Sequence, residues 1–357
     1  MKILLMGEFS GFHTALKHGL EELGHECVLA SNGDNWKKIE GSNLRLFRTD
    51  FKNPIDKGYK LVVEPLFGLR KFYGFDIVQY VNPIIYSPYI NKIVFDKIRQ
   101  HSSKIFTAIS GDCHSLFQAY KKGELGYYIY DDNPELCSSY INDKHAKARI
   151  IQEEYTYNHV DGIIPVMYEY AVGVKERTNL LPTIPLPFES DKIAYKENKV
   201  NGKIVIMHGV IREKYKGTAY ILQALDIIKQ RYPNDVEIIV DGKLPLNEYL
   251  KVLQRTNILV DQCKEHGWSM NACHGMAQGK VVLSGASRNT LKEFGLSSSP
   301  VFHIKPDVNQ IVSQLEYLIE NKDNIEEFGY KSRKFVETFH NHRRIAQLYL
   351  DNWLGDK

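Results

Sequence analysis

The chain has 357 residues, enough for two domains at the roughly 150 residues of an average domain. Its 46 Lys and Arg residues nearly balance 43 Asp and Glu residues, and the formal net charge of +3 is too small for a protein that chiefly coats nucleic acid. A hydrophobic content of 43% excludes a disordered chain, and no apolar run approaches the roughly 18 residues of a spanning helix. We expect a two-domain globular protein with no nucleic-acid partner.

The first residues and the cysteines indicate the compartment. The segment MKILLMGEF contains a short apolar run that ends at Gly7, too short for the core of a signal peptide. Cysteine occurs five times and without C-x-x-C spacing, so neither a disulfide framework nor a zinc site is indicated. We predict a protein of the reducing cytoplasm.

Strand-like and helical patterns alternate through the first half of the chain. A buried strand is predicted over Lys2–Met6, and the next helix has apolar residues at helical spacing from Ala15 to Leu23, before a terminating Gly24. Further short runs, unalternating as in strands buried on both faces, lie at Cys27–Ala30, Asp76–Tyr80, Ile105–Ile109 and Gly162–Val166. This order predicts a doubly wound parallel α/β domain.

A second α/β domain is predicted after a linker. The segment Leu180–Gly202 holds three prolines in six residues and then a polar stretch, which is typical of a linker. Beyond it the pattern restarts, with predicted strands at Lys203–Met207, Val236–Val240, Ile258–Val260 and Lys280–Leu283. The fold class predicted is therefore α/β, with two Rossmann-like doubly wound domains facing across a cleft. Ligands of such sheets bind at the carboxyl ends of the strands.

The first loop after a strand, Gly7–His13, opens a helix whose amides could meet an anion. It lacks the G-x-G-x-x-G pattern, and no acidic residue closes the second strand, so a nicotinamide cofactor is not expected. Two interpretations stay open. The loop is a tight turn that needs glycine, or it contacts an acceptor sugar through Gly11, Phe12 or His13.

Two loops of the second half suit a diphosphate. Gly209, Arg212, Lys216 and Gly217 lie between a strand and a helix, and cations at a helix start with close backbone approach favour phosphate binding. Solvated loop charges are the alternative. The second loop precedes a helix that starts near Ser269–Ala272, where small residues would leave helix amides open to the same diphosphate.

The second half of the chain contains two motifs, G-x-x-R-x-x-x-K-G and then D-Q…G-W…M-N-A…G-M-A-Q-G-K-V-V. Together they resemble the donor-binding domain of GT-B glycosyltransferases, particularly the large retaining family (group 1, family 4-like) that uses nucleotide-diphosphate sugars. The likeness extends over nearly the whole chain and is specific between Gly209 and Val282. It implies an acceptor-side domain over residues 1–187 and a donor-binding domain over 188–335. A final helix, 336–357, would pack back on the first domain.

The resemblance also implies which residues hold the donor. A basic pair that binds the donor phosphates corresponds to Arg212 and Lys216, although Arg212 stands three residues after Gly209 rather than directly after it. The predicted donor-binding set is Gly209, Arg212, Lys216, Gly242, Met270, Asn271, Ala272 and His274. No metal and no further cofactor are expected, because lysine, arginine and helix amides take the place of a cation.

The acidic residues depart from the family pattern of two glutamates with seven residues between them. His274 occupies the place of the second, which bonds the ribose, and His266 stands eight residues earlier beside Glu265. A one-residue loop shift could bring Glu265 into the first role. Because a neutral imidazole accepts one hydrogen bond where a carboxylate accepts several, a catalytically silent nucleotide-sugar-binding or scaffolding subunit stands as the alternative.

The retaining family shows no obvious protein nucleophile, and the resemblance implies that the donor phosphate helps to deprotonate the acceptor. A polar side chain after a middle strand of the first domain often lines the cleft, which here corresponds to Asp112 or His114. Either could instead cap a helix or lie on the surface. With Glu265, these two residues are the predicted catalytic set.

One stretch could attach to an anionic membrane surface. Ile90, Ile93, Val94 and Ile98 share a helical face with lysine and arginine on its flanks, a pattern that an ordinary domain-surface helix also shows. The predicted function is transfer of a sugar from a nucleotide-diphosphate donor to a hydroxyl of a glycan or lipid-linked acceptor, with retention. The predicted location is the cytoplasm or, peripherally, the inner face of the membrane.

Overall fold

A computed structural model describes residues 1–33, 41–141, 146–210, 212–242 and 246–355. The chain divides into two compact units. Unit 1 comprises Met1–Lys122, Glu135–Pro187 and His342–Lys357, whereas unit 2 comprises Gly123–Pro134 and Phe188–Asn341. The chain therefore passes between the units four times.

Strands and helices alternate along most of the described chain. The strands are β1 (Lys2–Met6), β2 (Glu26–Ala30), β3 (Phe75–Tyr80), β4 (Ser102–Ile109), β5 (Gly162–Pro165), β6 (Ile204–Gly209), β7 (Val236–Asp241), β8 (Ile258–Val260), β9 (Val281–Ser284) and β10 (Phe302–His303). The helices are α1 (Phe12–Glu22), α2 (Pro54–Gly58), α3 (Glu64–Phe67), α4 (Asn91–Arg99), α5 (His114–Lys121), α6 (Pro134–Ile141), α7 (Ala146–His159), α8 (Tyr168–Val174), α9 (Glu213–Lys216), α10 (Thr218–Arg231), α11 (Leu246–Arg255), α12 (Met270–Ala277), α13 (Arg288–Glu293), α14 (Val308–Glu320), α15 (Ile325–Phe339) and α16 (His342–Leu354).

Unit 1 is built on a parallel sheet with the strand order β2-β1-β3-β4-β5. Ile3 of β1 lies opposite both Cys27 and Ile77. The residues from Ile3 to Met6 are fully buried, as expected of a strand covered on both faces. The chain leaves α1 through Gly24, whose φ of 85° places it in the left-handed region that glycine adopts readily.

The C-terminal helix α16 packs closely against α1. A Cβ atom on Gly19 would lie 2.4 Å from the carbonyl oxygen of His342, so only glycine permits this approach. The rings of Phe12 and Tyr349 contact each other with centroids 6.2 Å apart. The contact completes the hydrophobic cover of the first sheet.

Helix α4 is an ordinary core-packing helix. Ile90, Val94 and Ile98 are buried, and of the four apolar residues predicted to face lipid only Ile93 is exposed. The prediction that this face meets a membrane is therefore wrong, because the sheet of unit 1 already covers it. Within the described ranges, no helix has both the length and the apolarity needed to cross a bilayer.

Unit 2 repeats the architecture with a second parallel sheet, in the order β10-β9-β8-β6-β7. Its hydrophobic core includes Ile206, Ile258 and Leu283 from the strands and Leu225 and Leu315 from α10 and α14. The prediction of two doubly wound α/β domains is confirmed by these two five-stranded sheets.

Replacing Gly19 tests the packing of α1 against α16. Gly19→Ala is expected to lower the free energy of unfolding by about 2 kcal/mol, because the added methyl group overlaps backbone atoms that cannot rotate away. Gly58→Ala is the matched control: it is also helical, and no atom lies within 4 Å of its added Cβ. This control should be neutral or stabilising by up to about 1 kcal/mol. Urea denaturation measures both, and equal effects would contradict the close approach.

Candidate functional site

The candidate site lies at the carboxyl edge of the second sheet, where the strand order reverses. The chain runs from β6 outward to β7, then returns to place β8 on the other side of β6. The loops after β6 and β8 therefore diverge and leave a crevice, the usual ligand position in open α/β sheets.

A fully buried carboxylate, Asp261, joins these loops. It follows β8 directly and accepts hydrogen bonds from Lys216 Nζ at 3.0 Å, Asn271 Nδ2 at 2.9 Å, Ser269 Oγ at 2.7 Å and Ser284 Oγ at 3.1 Å. The four donors belong to the end of α9, the start of α12 and β9. One side chain thus holds together the elements on both sides of the switch point.

Electrostatics keep Asp261 ionised. Burial by itself raises the pKa of a carboxyl, but the positive charge of Lys216 and the hydrogen bonds from Asn271 and Ser269 outweigh it. The pKa of Asp261 consequently lies below its ordinary value. The Lys216–Asp261 pair is therefore a true ion pair at neutral pH.

Lys216 lies at the end of α9 and is not a solvated loop charge, which was the alternative interpretation of the sequence. Only 15% of its side chain is exposed, and its ammonium group is paired with Asp261. An ammonium carries three hydrogens, and within the described residues Asp261 is its only acceptor. Lys216 is therefore oriented by an internal partner while two of its hydrogens remain for a ligand.

The residues around Lys216 adopt a tight left-handed geometry. Arg212 has a φ of 58° and is exposed, and its guanidinium carbon lies 4.2 Å from the centroid of the Tyr215 ring. Gly217 has a φ of 72°, and a Cβ there would lie 2.4 Å from the Cys263 sulfur. Helix α10 begins immediately after Gly217, with no side chain capping its first turn among the described residues.

Packing requires glycine at only one of the two other predicted glycines. Gly209 closes β6, and a Cβ there would make only ordinary contacts. Gly242 follows β7, and a Cβ there would lie 1.8 Å from the Val210 carbonyl oxygen, so glycine is required for the two loops to approach. The adjoining residues 243–245 lie outside the described residues.

Helix α12 starts where the sequence predicted, at Met270, but its first amides are already engaged. The Ser269 hydroxyl accepts from the backbone N–H of Asn271 at 3.1 Å and of Ala272 at 3.4 Å. The prediction that these two amides stand open to a diphosphate is wrong for this reason. The Asn271 side chain still borders the site, held between Asp261 and the Tyr249 hydroxyl, which donates at 2.6 Å.

His274 lies one turn further along α12. Its ring packs edge-on against Phe188 with centroids 4.8 Å apart, and burial lowers its pKa to about 4. At neutral pH the imidazole is therefore uncharged. No described residue makes a hydrogen bond with its Nδ1.

Glu265 and His266 belong to the loop after β8, which a segment from earlier in the chain covers. Tyr127 stacks on His266 with centroids 4.3 Å apart, and His266 Nε2 lies 3.1 Å from the Tyr127 carbonyl oxygen. Glu265 accepts a hydrogen bond from the Gln262 amide. The covering segment, Gly123–Pro134, is part of unit 2.

An ion pair with a buried lysine anchors the other end of that segment. Asp132 pairs with Lys264 at 2.9 Å and accepts a hydrogen bond from the Tyr220 hydroxyl at 2.7 Å. Only 3% of the Lys264 side chain is exposed. The loop that carries Glu265 is therefore fixed on two sides.

In unit 1, the chain itself occupies the predicted anion site at α1. The Glu8 carboxylate accepts from the backbone N–H of His13 at 3.3 Å and of Thr14 at 2.8 Å, and from the Thr14 hydroxyl at 2.6 Å. Burial raises the pKa of Glu8. The prediction that these amides meet an external anion is wrong, because an internal carboxyl holds them.

Two of the predicted acceptor-binding side chains lie in the core. Phe12 and His13 are fully buried, His13 Nδ1 lies 2.8 Å from the Gly7 carbonyl oxygen, and burial lowers the pKa of His13 to about 3. Contact of these side chains with an acceptor does not fit this burial. For Gly11, whose φ is 86°, it stays a prediction.

Asp112 and His114 lie in the loop after β4 and at the start of α5. The Glu153 carboxylate accepts from the backbone N–H of His114 at 2.8 Å and of Ser115 at 2.9 Å, and so caps that helix. Asp112 is exposed, and burial lowers the pKa of His114. Their catalytic role stays a prediction.

A search of protein-family models and a search of curated proteins each find no match to this chain. Several solved structures match it over their full length. Sucrose-phosphate synthase from Thermosynechococcus elongatus has a TM-score of 0.64 at 14% identity, with all of both chains covered. HepE from Anabaena in complex with UDP-glucose has a TM-score of 0.63 at 10% identity, covering 99% of this chain and 100% of that chain. UDP-GlcNAc 2-epimerase from Neisseria meningitidis, bound to UDP-GlcNAc, has a TM-score of 0.56 at 9% identity, with full coverage of both.

The chain has the GT-B fold. At these identities the likeness establishes the fold alone. Of the residues predicted for the donor, the GT-B fold brings Lys216 and Asn271 together around Asp261.

Sequence reasoning assigned no role to Asp261 or His208. His208 lies in β6 with Nδ1 donating to the Val260 carbonyl oxygen at 2.8 Å, which leaves Nε2 to accept from the Thr218 hydroxyl at 3.0 Å. A polar residue directly after the buried run Ile258–Val260 was the available signal for Asp261. Within the described residues, no three His, Cys, Asp or Glu side chains converge as metal ligands.

The buried histidines of unit 2 predict a loss of stability in acid. Burial lowers the pKa of both His208 and His274 to about 4, against about 6.5 in an unfolded chain. Between these values the unfolded chain binds more protons than the folded one, so stability falls as pH is lowered through this window. Each histidine contributes a slope of about 1.4 kcal/mol per pH unit.

His274→Gln removes one of these two groups. Between about pH 6.5 and 4, the slope of the free energy of unfolding against pH should therefore be smaller than in the wild type by about 1.4 kcal/mol per pH unit. His159→Gln removes an exposed histidine and should leave the wild-type slope. Urea denaturation at a series of pH values measures the slopes. A His274→Gln slope equal to that of wild type would show that the buried imidazole does not drive the effect.

Proposed function

We propose that this protein transfers a sugar from a nucleotide-diphosphate donor to a hydroxyl of a glycan or lipid-linked acceptor, and that unit 2 holds the donor phosphates. The observation that carries the proposal is Lys216. It is a partly buried lysine, fixed by Asp261 at the switch point of the second sheet, directly before the start of α10.

Lys216 and α10 together offer what a diphosphate requires. The ammonium group supplies positive charge and two hydrogens, and the uncapped first turn of α10 supplies backbone N–H groups and the positive end of the helix dipole. Gly217 between them has the left-handed conformation that lets α10 begin directly after the lysine. Arg212 on the exposed side of the loop adds a second cation.

The finer features of the reaction rest on the resemblance to the retaining GT-B family. It supports retention, an acceptor hydroxyl deprotonated with help from the donor phosphate, and lysine and arginine in the place of a metal ion. Orientation and charge stabilisation are then the main tasks of the protein. The polar side chains that we propose for this orientation and charge stabilisation are those of Glu265, Asp112 and His114.

A second candidate function is binding without transfer. His274 is uncharged at neutral pH and largely buried, in the place where the family pattern has a ribose-binding glutamate. A subunit that binds a nucleotide sugar and leaves it intact would fit this side chain. The GT-B fold also includes an epimerase that binds UDP-GlcNAc, so turnover must be assayed directly.

Replacing Lys216 tests the phosphate site. UDP, ADP, GDP and UDP-glucose are each titrated in thermal-shift experiments, because a ligand that binds the native state raises the melting temperature. We expect at least one of them to stabilise the wild type. Lys216→Met should weaken that ligand about tenfold to a hundredfold, since it removes a charged hydrogen bond to phosphate.

Lys214→Met is the matched control, because Lys214 is exposed two residues earlier in the same helix. It should retain the wild-type affinity. Each shift is measured against the melting temperature of the same variant without ligand, since Lys216→Met also deprives Asp261 of its cation. No stabilisation of the wild type by any of these compounds, or equal affinity of both variants, would refute the phosphate site.

Turnover separates the candidate functions. For the nucleotide sugar that stabilises the protein, chromatography with a panel of glycan and lipid-linked acceptors should show release of the nucleoside diphosphate together with a new glycoside. Conversion of the sugar within an intact nucleotide sugar would identify an epimerase. Tight binding with an unchanged donor across the panel would favour the silent subunit.

A further inference from the structure

An apolar stripe runs along the exposed face of one helical segment in unit 1. The segment consists of α2, a π-helical turn over Tyr59–Val63, and α3. Every fourth residue from position 51 is apolar and exposed, namely Phe51, Ile55, Tyr59, Val63 and Phe67. Ile55 is 86% exposed and Phe67 is 80% exposed. A row of exposed apolar side chains of this size is typical of an interaction surface.

The opposite face of the segment fixes it to unit 1. Pro65 and Leu69 are buried, and so is Lys60, whose ammonium group donates to the Asp50 carbonyl oxygen at 2.6 Å and to Asp56 Oδ2 at 2.8 Å. The stripe is therefore held outward by packing and by the ion pair between the buried Lys60 and Asp56.

Charge is distributed unevenly around the stripe. Between Arg48 and Phe72 there are six Lys and Arg residues and three Asp and Glu residues, an excess equal to the formal net charge of the whole chain. The acids are engaged locally: Asp50 pairs with Arg48 and Lys60, and Asp56 pairs with Lys60.

The remaining acid, Glu64, lies close enough to Arg48 and Lys71 for its negative charge to attract both cations. Lys52, Lys57 and Arg70 are exposed beside the apolar row and pair with no acidic side chain among the described residues. The Lys57 ammonium lies 5.7 Å from the centroid of the Phe51 ring, so cation and aromatic ring share one surface.

We propose that this stripe binds the surface of an anionic lipid bilayer. Apolar side chains on one helix face, with cations on its flanks, suit the boundary between head groups and acyl chains. Isoleucine, valine and phenylalanine would enter the acyl region, tyrosine would lie at the head groups, and the lysines would meet lipid phosphate. This surface replaces the one predicted on α4, whose apolar residues are buried.

A second copy of the chain fits the stripe less well. A twofold contact places the same patch on both partners, so Lys52, Lys57 and Arg70 of one copy would face those of the other. Such like-charge opposition disfavours association, whereas an anionic surface relieves it. The inference goes beyond the proposed function, because lipid binding does not depend on the donor site.

Flotation of the full-length protein with vesicles tests the proposal. Vesicles of phosphatidylcholine and phosphatidylglycerol in equal parts are compared with vesicles of phosphatidylcholine alone. The wild type is expected to float with the anionic vesicles, and Ile55→Ser combined with Phe67→Ser should lower the bound fraction by about tenfold or more. Lys52→Gln combined with Lys57→Gln should weaken binding to the anionic vesicles and make it less sensitive to salt.

Ile151→Ser combined with Tyr317→Ser is the matched control, because both residues are exposed apolar side chains outside the stripe. It should float like the wild type. Absence of flotation of the wild type, or undiminished flotation of the stripe variant, would overturn the proposal. So would a wild-type dimer that the stripe variant dissociates in analytical ultracentrifugation without any lipid binding. Thermal shifts with the nucleoside diphosphates, measured on the same variants, should be unchanged and so separate this surface from the donor site.

Discussion

The need to stabilise one buried charge organises unit 2. Asp261 has no solvent around it, and a buried carboxylate is tolerated only where donors surround it. Its donors come from the end of α9, the start of α12 and β9. These are elements that the chain brings to the switch point from separate directions. Satisfying Asp261 therefore sets the position of Lys216 and, with it, the charge that the crevice presents.

The helices that follow strands differ in what stands at their amino ends. Glu8 caps α1 and Glu153 caps α5, each with a carboxylate from within the chain, and Ser269 caps α12 with a hydroxyl. Helix α10 has no such cap, and a lysine precedes it instead of an acid. Since a helix start favours negative charge, α10 is the member of this set that leaves room for an anion from outside.

The two α/β domains could be predicted from the sequence, because their elements are marked by local patterns. A strand buried on both faces is a short continuous apolar run, as at β1, and a helix often ends at a glycine, as at Gly24. The site was only partly predictable. Lys216 was found from its position after a strand, whereas its partner Asp261 is distant in sequence and is revealed only by the pairing of β6 with β8. The α4 pattern failed because helical spacing shows that one face is apolar without showing what covers it. The exposed stripe was not predicted, because apolar residues at a spacing of four are equally typical of a helix face that is buried.

The division of the chain between the units bears on the order in which the protein can mature. Helix α16 supplies the partner of α1 at Gly19, yet it is translated after all of unit 2. A nascent chain emerging from the ribosome therefore carries the first βαβ unit with the α16-facing side of α1 uncovered, while the second sheet is still being synthesised. Unit 1 therefore reaches its final packing only after unit 2 has been synthesised, although most of its residues precede unit 2 in the chain. The side of α1 around Phe12 and Gly19 stays uncovered in the nascent chain until α16 packs over it.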